Sequence, residues 1–184
     1  LPILDKKLRI LILEDIATDA ELMEGELRKD DLTFSSKRVE TEEDFCRELR
    51  NFDPDIILSD YSLPAFDGMS ALKLTQEISP SIPFIITTGS LNEEIAVECI
   101  KAGATDYIIK DHPSRLGPAV KAALEKKALV DAKIKAEIAL RESEEFNRRI
   151  IESSNDCINI LDFEGNLLFM NDGGRKLLEI DDIN

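Results

Sequence analysis

Side chains that can do chemistry follow four short apolar runs of this 184-residue chain, each at the point where a run ends. In chain order they are Glu14 with Asp15, Asp60, Thr88 and Lys110. Short apolar runs indicate strands buried on both faces of a parallel sheet, and such a strand cannot hold a carboxylate at its centre. The polar side chains should therefore emerge at the carboxyl edge of the sheet, where doubly wound α/β folds place their ligand sites.

Three carboxylates at one sheet edge would repel each other unless a cation lies among them. Mg²⁺ suits such a site because it prefers oxygen ligands and keeps several of its waters. A carboxylate beside Mg²⁺ can attack a phosphoryl group and form an acyl phosphate, while a lysine and a hydroxyl hold the remaining phosphoryl oxygens. These residue types therefore predict reversible phosphorylation of an aspartate.

Strand and helix patterns alternate through about the first two thirds of the chain, which predicts five βα units. We expect an α/β fold, a doubly wound five-stranded parallel sheet with the flavodoxin-like strand order 2-1-3-4-5. The segment from Thr33 to Glu40 is the most polar of the strand patterns, so it should lie nearer an edge. Thr18 or Asp19 is the expected cap of the first helix, and Asn92 is the expected cap of a later one.

A different pattern begins after Gly117-Pro118, the last Gly or Pro before Gly165. Residues 119–153 are rich in Ala, Glu, Lys, Leu and Ile, which predicts one long C-terminal helix. Its apolar residues follow a heptad only loosely. Two interpretations stay open: a solvated helix that extends the last helix of the domain, or a two-stranded coiled coil that joins domains.

The residues at the strand ends, in this order, resemble the receiver domain of two-component response regulators over about residues 6–128. The matching positions are Glu14-Asp15, Asp60 with Pro64 and Gly68, Thr88, and Asp106-Tyr107-Ile108-Ile109-Lys110. The resemblance implies a phosphoacceptor module of a phosphorelay whose conformation switches on phosphorylation. A histidine kinase or a phosphotransfer protein would be its phosphodonor.

The resemblance also implies a metal site around the phosphoacceptor. Asp60 would accept the phosphoryl group. Asp15, Asp60 and the backbone carbonyl of Ser62 would bind Mg²⁺, and Glu14 would assist through water.

Three further residues have roles implied by the resemblance. Thr88 and Lys110 would bind the phosphoryl group, and Tyr107 would be an aromatic switch that turns inward when the threonine moves. A Mg²⁺-dependent α/β phosphatase is one alternative, although such enzymes usually place Asp-x-Asp where this chain has Glu14-Asp15-Ile16. A receiver-like dimerisation module is another, but it would be expected to lack one of the reactive residues.

The last part of the chain, about residues 142–180, resembles the opening of a PAS sensor domain. The pattern has a first helix, a turn at Asp162-Phe163-Glu164-Gly165, a second strand and Asn171, followed by a short helix over 175–180. We expect residues 146–184 to be the incomplete N-terminal part of this α+β domain. Residues 156–184 are too few to bury a core, so we expect them to be mobile unless they pair with another chain.

The combination implies a receiver–PAS signalling protein, with a histidine kinase as one candidate for the longer parent chain. The helix over 119–153 would link the two domains and carry the signal, and it would join two copies in a homodimer.

Composition limits the function classes. The net charge of −15 argues against direct nucleic-acid binding. No apolar run approaches the ~20 residues of a membrane span, and the first seven residues are too charged for a signal peptide. We therefore expect a cytoplasmic protein that does not contact membranes. Cys46, Cys99 and Cys157 lack metal-ligand spacing and should be reduced.

Overall fold

The computed structural model describes residues 7–64, 66–89 and 93–178. The chain divides into two compact units, residues 1–130 and 131–184. The first unit contains the strands β1 (Leu8–Leu13), β2 (Phe34–Val39), β3 (Ile56–Asp60), β4 (Phe84–Thr88) and β5 (Asp106–Ile109). Its helices are α1 (Ala17–Lys29), α2 (Glu42–Asn51), α3 (Gly68–Ile78) and α4 (Glu93–Lys101). A short 3-10 turn (Pro113–Arg115) then leads into α5 (Leu116–Ser153), which runs on into the second unit. Residue 6, where the predicted receiver domain starts, lies outside the described residues.

The five strands form one parallel sheet in the order β2-β1-β3-β4-β5. This arrangement confirms the predicted doubly wound α/β fold with flavodoxin-like strand order. The edge position of β2 agrees with its polar sequence, since an edge strand is covered less fully than a central one.

Two apolar layers cover the two faces of the sheet. One layer lies between the sheet and helices α1 and α5, and it includes Ile12, Leu58 and Val120. The other lies between the sheet and helices α2, α3 and α4, and it includes Phe45 and Leu72. Because these side chains are almost fully buried, the carboxylates of the central strands lie at the strand ends.

Helix α1 begins at Ala17 after Ile16, and no side chain caps it. The prediction that Thr18 or Asp19 caps this helix is wrong, because Asp19 lies inside the first turn and binds Lys110 instead. The predicted cap of α4, Asn92, lies outside the described residues.

Helix α5 begins at Leu116, earlier than the predicted start at residue 119. Gly117 and Pro118 fall in its first turn, where proline is tolerated because an N–H there has no partner within the helix. The helix has 38 residues and is therefore about 57 Å long. Between Leu129 and Ile150 its large apolar side chains are exposed.

The second unit holds the end of α5, an antiparallel hairpin of β6 (Asn159–Leu161) and β7 (Leu167–Met170), and helix α6 (Asp172–Leu177). The carboxylate of Asp162 accepts hydrogen bonds from the amides of Glu164 and Asn166 and so closes the hairpin turn. The sequence predicts both strands, but it places the start of the helix at residue 175. The helix starts earlier because Asn171 caps it, accepting a hydrogen bond from the amide of Gly174.

No described helix is both long enough and apolar enough to cross a membrane. Cys46, Cys99 and Cys157 are free thiols. Cys99, on α4, packs into the layer between the sheet and helices α2, α3 and α4, and this burial raises the pKa of its thiol.

Candidate functional site

Four polar side chains face the same side of the sheet, because each lies two residues after a buried apolar residue that faces that side. The layer between the sheet and helices α1 and α5 contains Ile12, Leu58, Ile85 and Ile108. Side chains of a strand alternate between the two faces, so the residue two positions further on points the same way. Those residues are Glu14, Asp60, Thr87 and Lys110.

Lys110 lies at the centre of this group. Its Nζ donates hydrogen bonds to Asp19 Oδ2 at 2.7 Å, Glu14 Oε2 at 2.8 Å and Asp60 Oδ2 at 3.2 Å. Glu14 is fully buried, and the side chain of Asp60 is 11% exposed. An ammonium group has three N–H donors, so the three carboxylates use all of them.

The close packing of these charges shifts their protonation. Burial alone would lower the pKa of Lys110, but its hydrogen bonds to Asp19 and Glu14 and the charge of Asp60 raise that pKa above its ordinary value. Burial raises the pKa of the Glu14 carboxyl, and the contact with Lys110 offsets only part of this effect. Lys110 is therefore a fixed cation at neutral pH, whereas Glu14 would be stabilised by a further positive charge.

Glu14, Asp15 and Asp60 form an acidic trio in which one oxygen of each carboxylate lies within 4.8 Å of the others. Glu14 and Asp60 are buried and Asp15 is half-buried, so the trio is reached from solvent on the side of Asp15. Hard oxygen donors at this spacing suit Mg²⁺, which takes one or two carboxylates and fills its other positions with water. The residues fit the metal predicted from the sequence.

Arg38, at the end of β2, fixes the backbone beneath the acid pair. Its guanidinium donates to the carbonyl oxygens of Glu14 at 3.0 Å and Asp15 at 3.2 Å. The amide of Ile16 donates to the Glu14 carboxylate at 3.2 Å and limits its rotation. The role of Arg38 could not be predicted from the sequence, because only the pairing of β1 with β2 brings its side chain to the acid pair.

Gly68 lets helix α3 approach the end of β3. A Cβ atom at this position would lie 2.5 Å from the carbonyl oxygen of Asp60, closer than real contacts allow. The amide of Gly68 donates to the carbonyl of Tyr61, and the Asp67 side chain caps α3. These contacts shape the loop that carries Ser62, which is exposed two residues beyond Asp60.

Thr88 and Tyr107 belong to the other face of the sheet. Tyr107 is the register partner of Ile86, and both lie in the layer beneath α2, α3 and α4. Thr88, two residues beyond Ile86, faces the same side by strand alternation. Both side chains are buried, so the tyrosine ring already points inward. The hydroxyl of Thr87 lies on the opposite face and donates to the carbonyl of Ser59.

Asp19 is the second site residue that sequence reasoning missed. It lies in the first turn of α1, four residues after Asp15, and its side chain is 29% exposed. That spacing is a usable signal, because a residue one helical turn into α1 can return to the edge where the acid pair emerges.

The chain matches the family model described as "Response regulator receiver domain" over residues 10–121. Among curated proteins, it is 34% identical over 102 residues to the C4-dicarboxylate transport transcriptional regulatory protein DctD of Pseudomonas aeruginosa, covering 55% of this chain and 22% of that protein. It is 31% identical over 113 residues to the chemotaxis protein CheY of Thermotoga maritima, covering 59% of this chain and 90% of that protein. The chain thus spans less than a quarter of the length of DctD.

The fold also matches solved structures. The BeF3-activated DrrB receiver domain superimposes with a TM-score of 0.57 at 25% sequence identity, over 65% of this chain and 99% of that one. The family match, over residues 10–121, lies in the first unit, which carries the charged sheet edge.

Proposed function

The chain belongs to the response regulator receiver family of two-component signalling, and from this premise we propose that Asp60 accepts one phosphoryl group in a Mg²⁺-dependent reaction. Phosphorylation from a histidine kinase or a phosphotransfer protein, and dependence on Mg²⁺, are general in this family. The role given to each residue of this chain is our proposal. The way in which the protein passes on its signal is also our proposal.

The observation that carries the proposal is the position of Asp60 between a fixed cation and two further carboxylates. Lys110 Nζ lies 3.2 Å from one oxygen of Asp60. Glu14 and Asp15, the other members of the acidic trio, lie at the same edge of the sheet. Transfer of a phosphoryl group to a carboxylate needs a positive group that neutralises the transferred oxygens, and further oxygen ligands that hold the metal ion. Lys110 can serve as the first, and Glu14 and Asp15 can serve as the second.

In the proposed reaction a carboxylate oxygen of Asp60 attacks the phosphorus atom of a phosphohistidine. The new O–P bond forms as the N–P bond breaks, and the departing imidazole takes up a proton. Lys110 binds an equatorial oxygen of the transferred group and neutralises its charge. Reversal of the switch is hydrolysis, in which water attacks the phosphorus and the bond to Asp60 breaks.

Glu14, Asp15, Asp60 and the carbonyl of Ser62 would hold Mg²⁺, with Glu14 acting through water. When bound, the ion supplies positive charge to the attacking carboxylate and the phosphoryl oxygens. Arg38 keeps the backbone of the acid pair in place for this purpose.

Thr88 and Tyr107 would report the phosphorylation to the surface. Both side chains are buried on the face of the sheet beneath α4. The tyrosine ring already points inward in this structure, so a shift of Thr88 toward the phosphoryl group would hold the ring in that position.

The experiment is labelling of the full chain with acetyl phosphate, followed by measurement of the intact mass. We expect one added phosphate, and none after chelation of Mg²⁺ or in Asp60→Asn, which keeps the shape of the side chain. Asp111→Asn, which alters an exposed acid next to Lys110, is the matched control and should label normally. Lys110→Ala and Thr88→Ala should label more slowly and change conformation less.

Three outcomes would contradict the proposal. Full labelling of Asp60→Asn would move the acceptor elsewhere, and a chain that does not label would favour the dimerisation module. Steady release of phosphate from a supplied phosphate ester would favour the phosphatase alternative.

We further propose that α5 links the receiver to the beginning of a PAS domain and carries the signal as one continuous helix. The hairpin with its Asp162 turn, followed by Asn171 as a helix cap, supports the PAS assignment over residues 146–184. A helix uninterrupted from Leu116 to Ser153 can transmit a rotation or a shift, which a flexible linker cannot. The parent protein, with a histidine kinase as the candidate, would supply the rest of the output.

A further inference from the structure

The ammonium group of Lys110 has no unoccupied donor. Its three N–H groups are matched by the carboxylates of Glu14, Asp19 and Asp60, all within hydrogen-bonding distance. The donor that Asp60 uses can pass to a phosphoryl group on that residue, but Glu14 and Asp19 still hold the ammonium at its present position. Any movement of Lys110 outward to the phosphoryl oxygens therefore competes with these two carboxylates.

Asp19 is the partner that can be released with least disturbance. Glu14 is fully buried, and it shares the acidic trio with Asp60. Asp19 stands outside the trio, and its side chain is 29% exposed, so water can solvate the carboxylate once the lysine leaves. Its contact with Lys110, at 2.7 Å, is about as short as that of Glu14, so it holds the ammonium in place until it is replaced.

A cavity next to this contact gives the lysine room to move. It measures about 140 Å³ and is lined by Asp19, Glu26, Thr87 and Lys110 together with apolar side chains of α1, β5, the 3-10 turn and the start of α5. A long side chain beside unfilled space can change partners without displacing packed neighbours.

We propose that Asp19 is a positioning residue that holds the Lys110 ammonium in the unphosphorylated protein and competes with the phosphoryl group for it. Phosphorylation then exchanges the Asp19–Lys110 contact for a phosphoryl–Lys110 contact. This inference rests on the proposed function of Asp60. It implies that Asp19 lowers the stability of the phosphorylated state relative to the unphosphorylated one.

The test uses beryllofluoride, which mimics a phosphoryl group on an aspartate, with the full chain in Mg²⁺. Its affinity is measured from the shifts of backbone amide signals. Asp19→Asn should bind the mimic more tightly by roughly two- to five-fold, the effect expected of one partly exposed ion pair. Asp19→Ser should do the same, and Asp19→Glu, which restores the charge, should return the affinity toward that of the unchanged chain.

Glu26→Gln is the matched control. Glu26 lies on the same helix and lines the same cavity, but its carboxylate pairs with Lys29 rather than Lys110. Its removal changes the net charge equally, so the affinity should stay near that of the unchanged chain. Thermal unfolding of each variant separates this effect from the loss of an acid in the first turn of α1.

Equal affinities for Asp19→Asn and Glu26→Gln would overturn the inference while leaving the function of Asp60 intact, and so would weaker binding in Asp19→Asn. A chain that binds no beryllofluoride, with or without Asp19, would overturn the proposed function and this inference with it.

Discussion

The first unit buries its large apolar side chains in two layers against a parallel sheet, whereas the hairpin of the second unit leaves most of its own exposed. Ile12 and Leu58 are fully buried, but Ile160, Leu161 and Leu168 are between 49% and 66% exposed. The buried apolar core of the first unit can hold charged side chains at fixed positions. The second unit lacks such a core among its described residues, so polar contacts must hold its elements together.

The side chain of Asn171 is fully buried and hydrogen-bonds several parts of the second unit. It accepts hydrogen bonds from the amides of Ile158 and Gly174, and its Nδ2 donates to the carbonyls of Ile151, Ser154 and Asp156. These contacts join the end of α5, the hairpin and α6 within the second unit. An apolar core holds charged side chains at fixed positions in one unit, whereas a buried polar side chain connects the elements of the other.

The largest effect is expected from the removal of this side chain. In Asn171→Ala, buried N–H and carbonyl groups lose their partners, which should destabilise the second unit by about 3 kcal/mol. Hydrogen exchange should show faster exchange across Cys157–Met170 than in the unchanged chain, where these amides should already exchange faster than those of β1. Labelling of Asp60 should be unaffected.

Asn166→Ala is the control, because Asn166 lies in the exposed hairpin turn and bonds only Asp162 through its side chain. It should change exchange within the turn alone. Slow exchange across Cys157–Met170 in Asn171→Ala would show that the apolar side chains of the hairpin suffice, and the contrast between the units would fail.

A smaller effect concerns Glu14 and the pH dependence of stability. Burial raises the pKa of this carboxyl above its ordinary value of 4.5, so the folded protein binds a proton more readily than the unfolded chain. In the presence of a chelator, the free energy of unfolding should therefore fall as the pH rises from about 4.5 through the folded pKa. Denaturant unfolding at a series of pH values measures this slope.

Glu14→Gln should remove that fall, and Mg²⁺ should stabilise the unchanged chain at neutral pH. The raised pKa of Lys110 does not interfere, since its contribution is complete below the ordinary value of 10.5. The half-buried Glu48, whose pKa is lowered by its hydrogen bond to Lys37, acts in the window below 4.5. An identical slope in Glu14→Gln would contradict the assignment.

The smallest effect is expected for the pairing of two chains through α5, whose residues belong partly to each unit. The exposed apolar residues of α5 predict weak pairing of two chains, which phosphorylation would modulate. Ile134→Glu should lower the dimer fraction measured by light scattering at high micromolar concentration. Ala136→Glu places the same charge on another side of the helix and should change it less. If the unchanged chain is monomeric with and without beryllofluoride, α5 is only a spacer.

The sequence allowed the sheet, its strand order and the charged edge to be predicted because apolar runs define buried strands with little ambiguity. Asp19 and Arg38 were missed for different reasons. The Arg38 contacts depend on the alignment of neighbouring strand ends, which a one-dimensional pattern does not contain. Asp19 follows Asp15 by about one helical turn, a signal that was interpreted as a helix cap. The early start of α5 was missed because Pro118 was read as a boundary, although the first turn of a helix accepts proline.

Asp60 as the phosphoacceptor is the central assignment. Its most direct test is treatment of the acetyl phosphate-labelled chain with sodium borohydride, which reduces an aspartyl phosphate to homoserine, followed by peptide mass spectrometry. We expect homoserine at position 60 alone, and only when Mg²⁺ was present during labelling. Homoserine at Asp15 or at another acid, or equal conversion under chelation, would contradict this assignment.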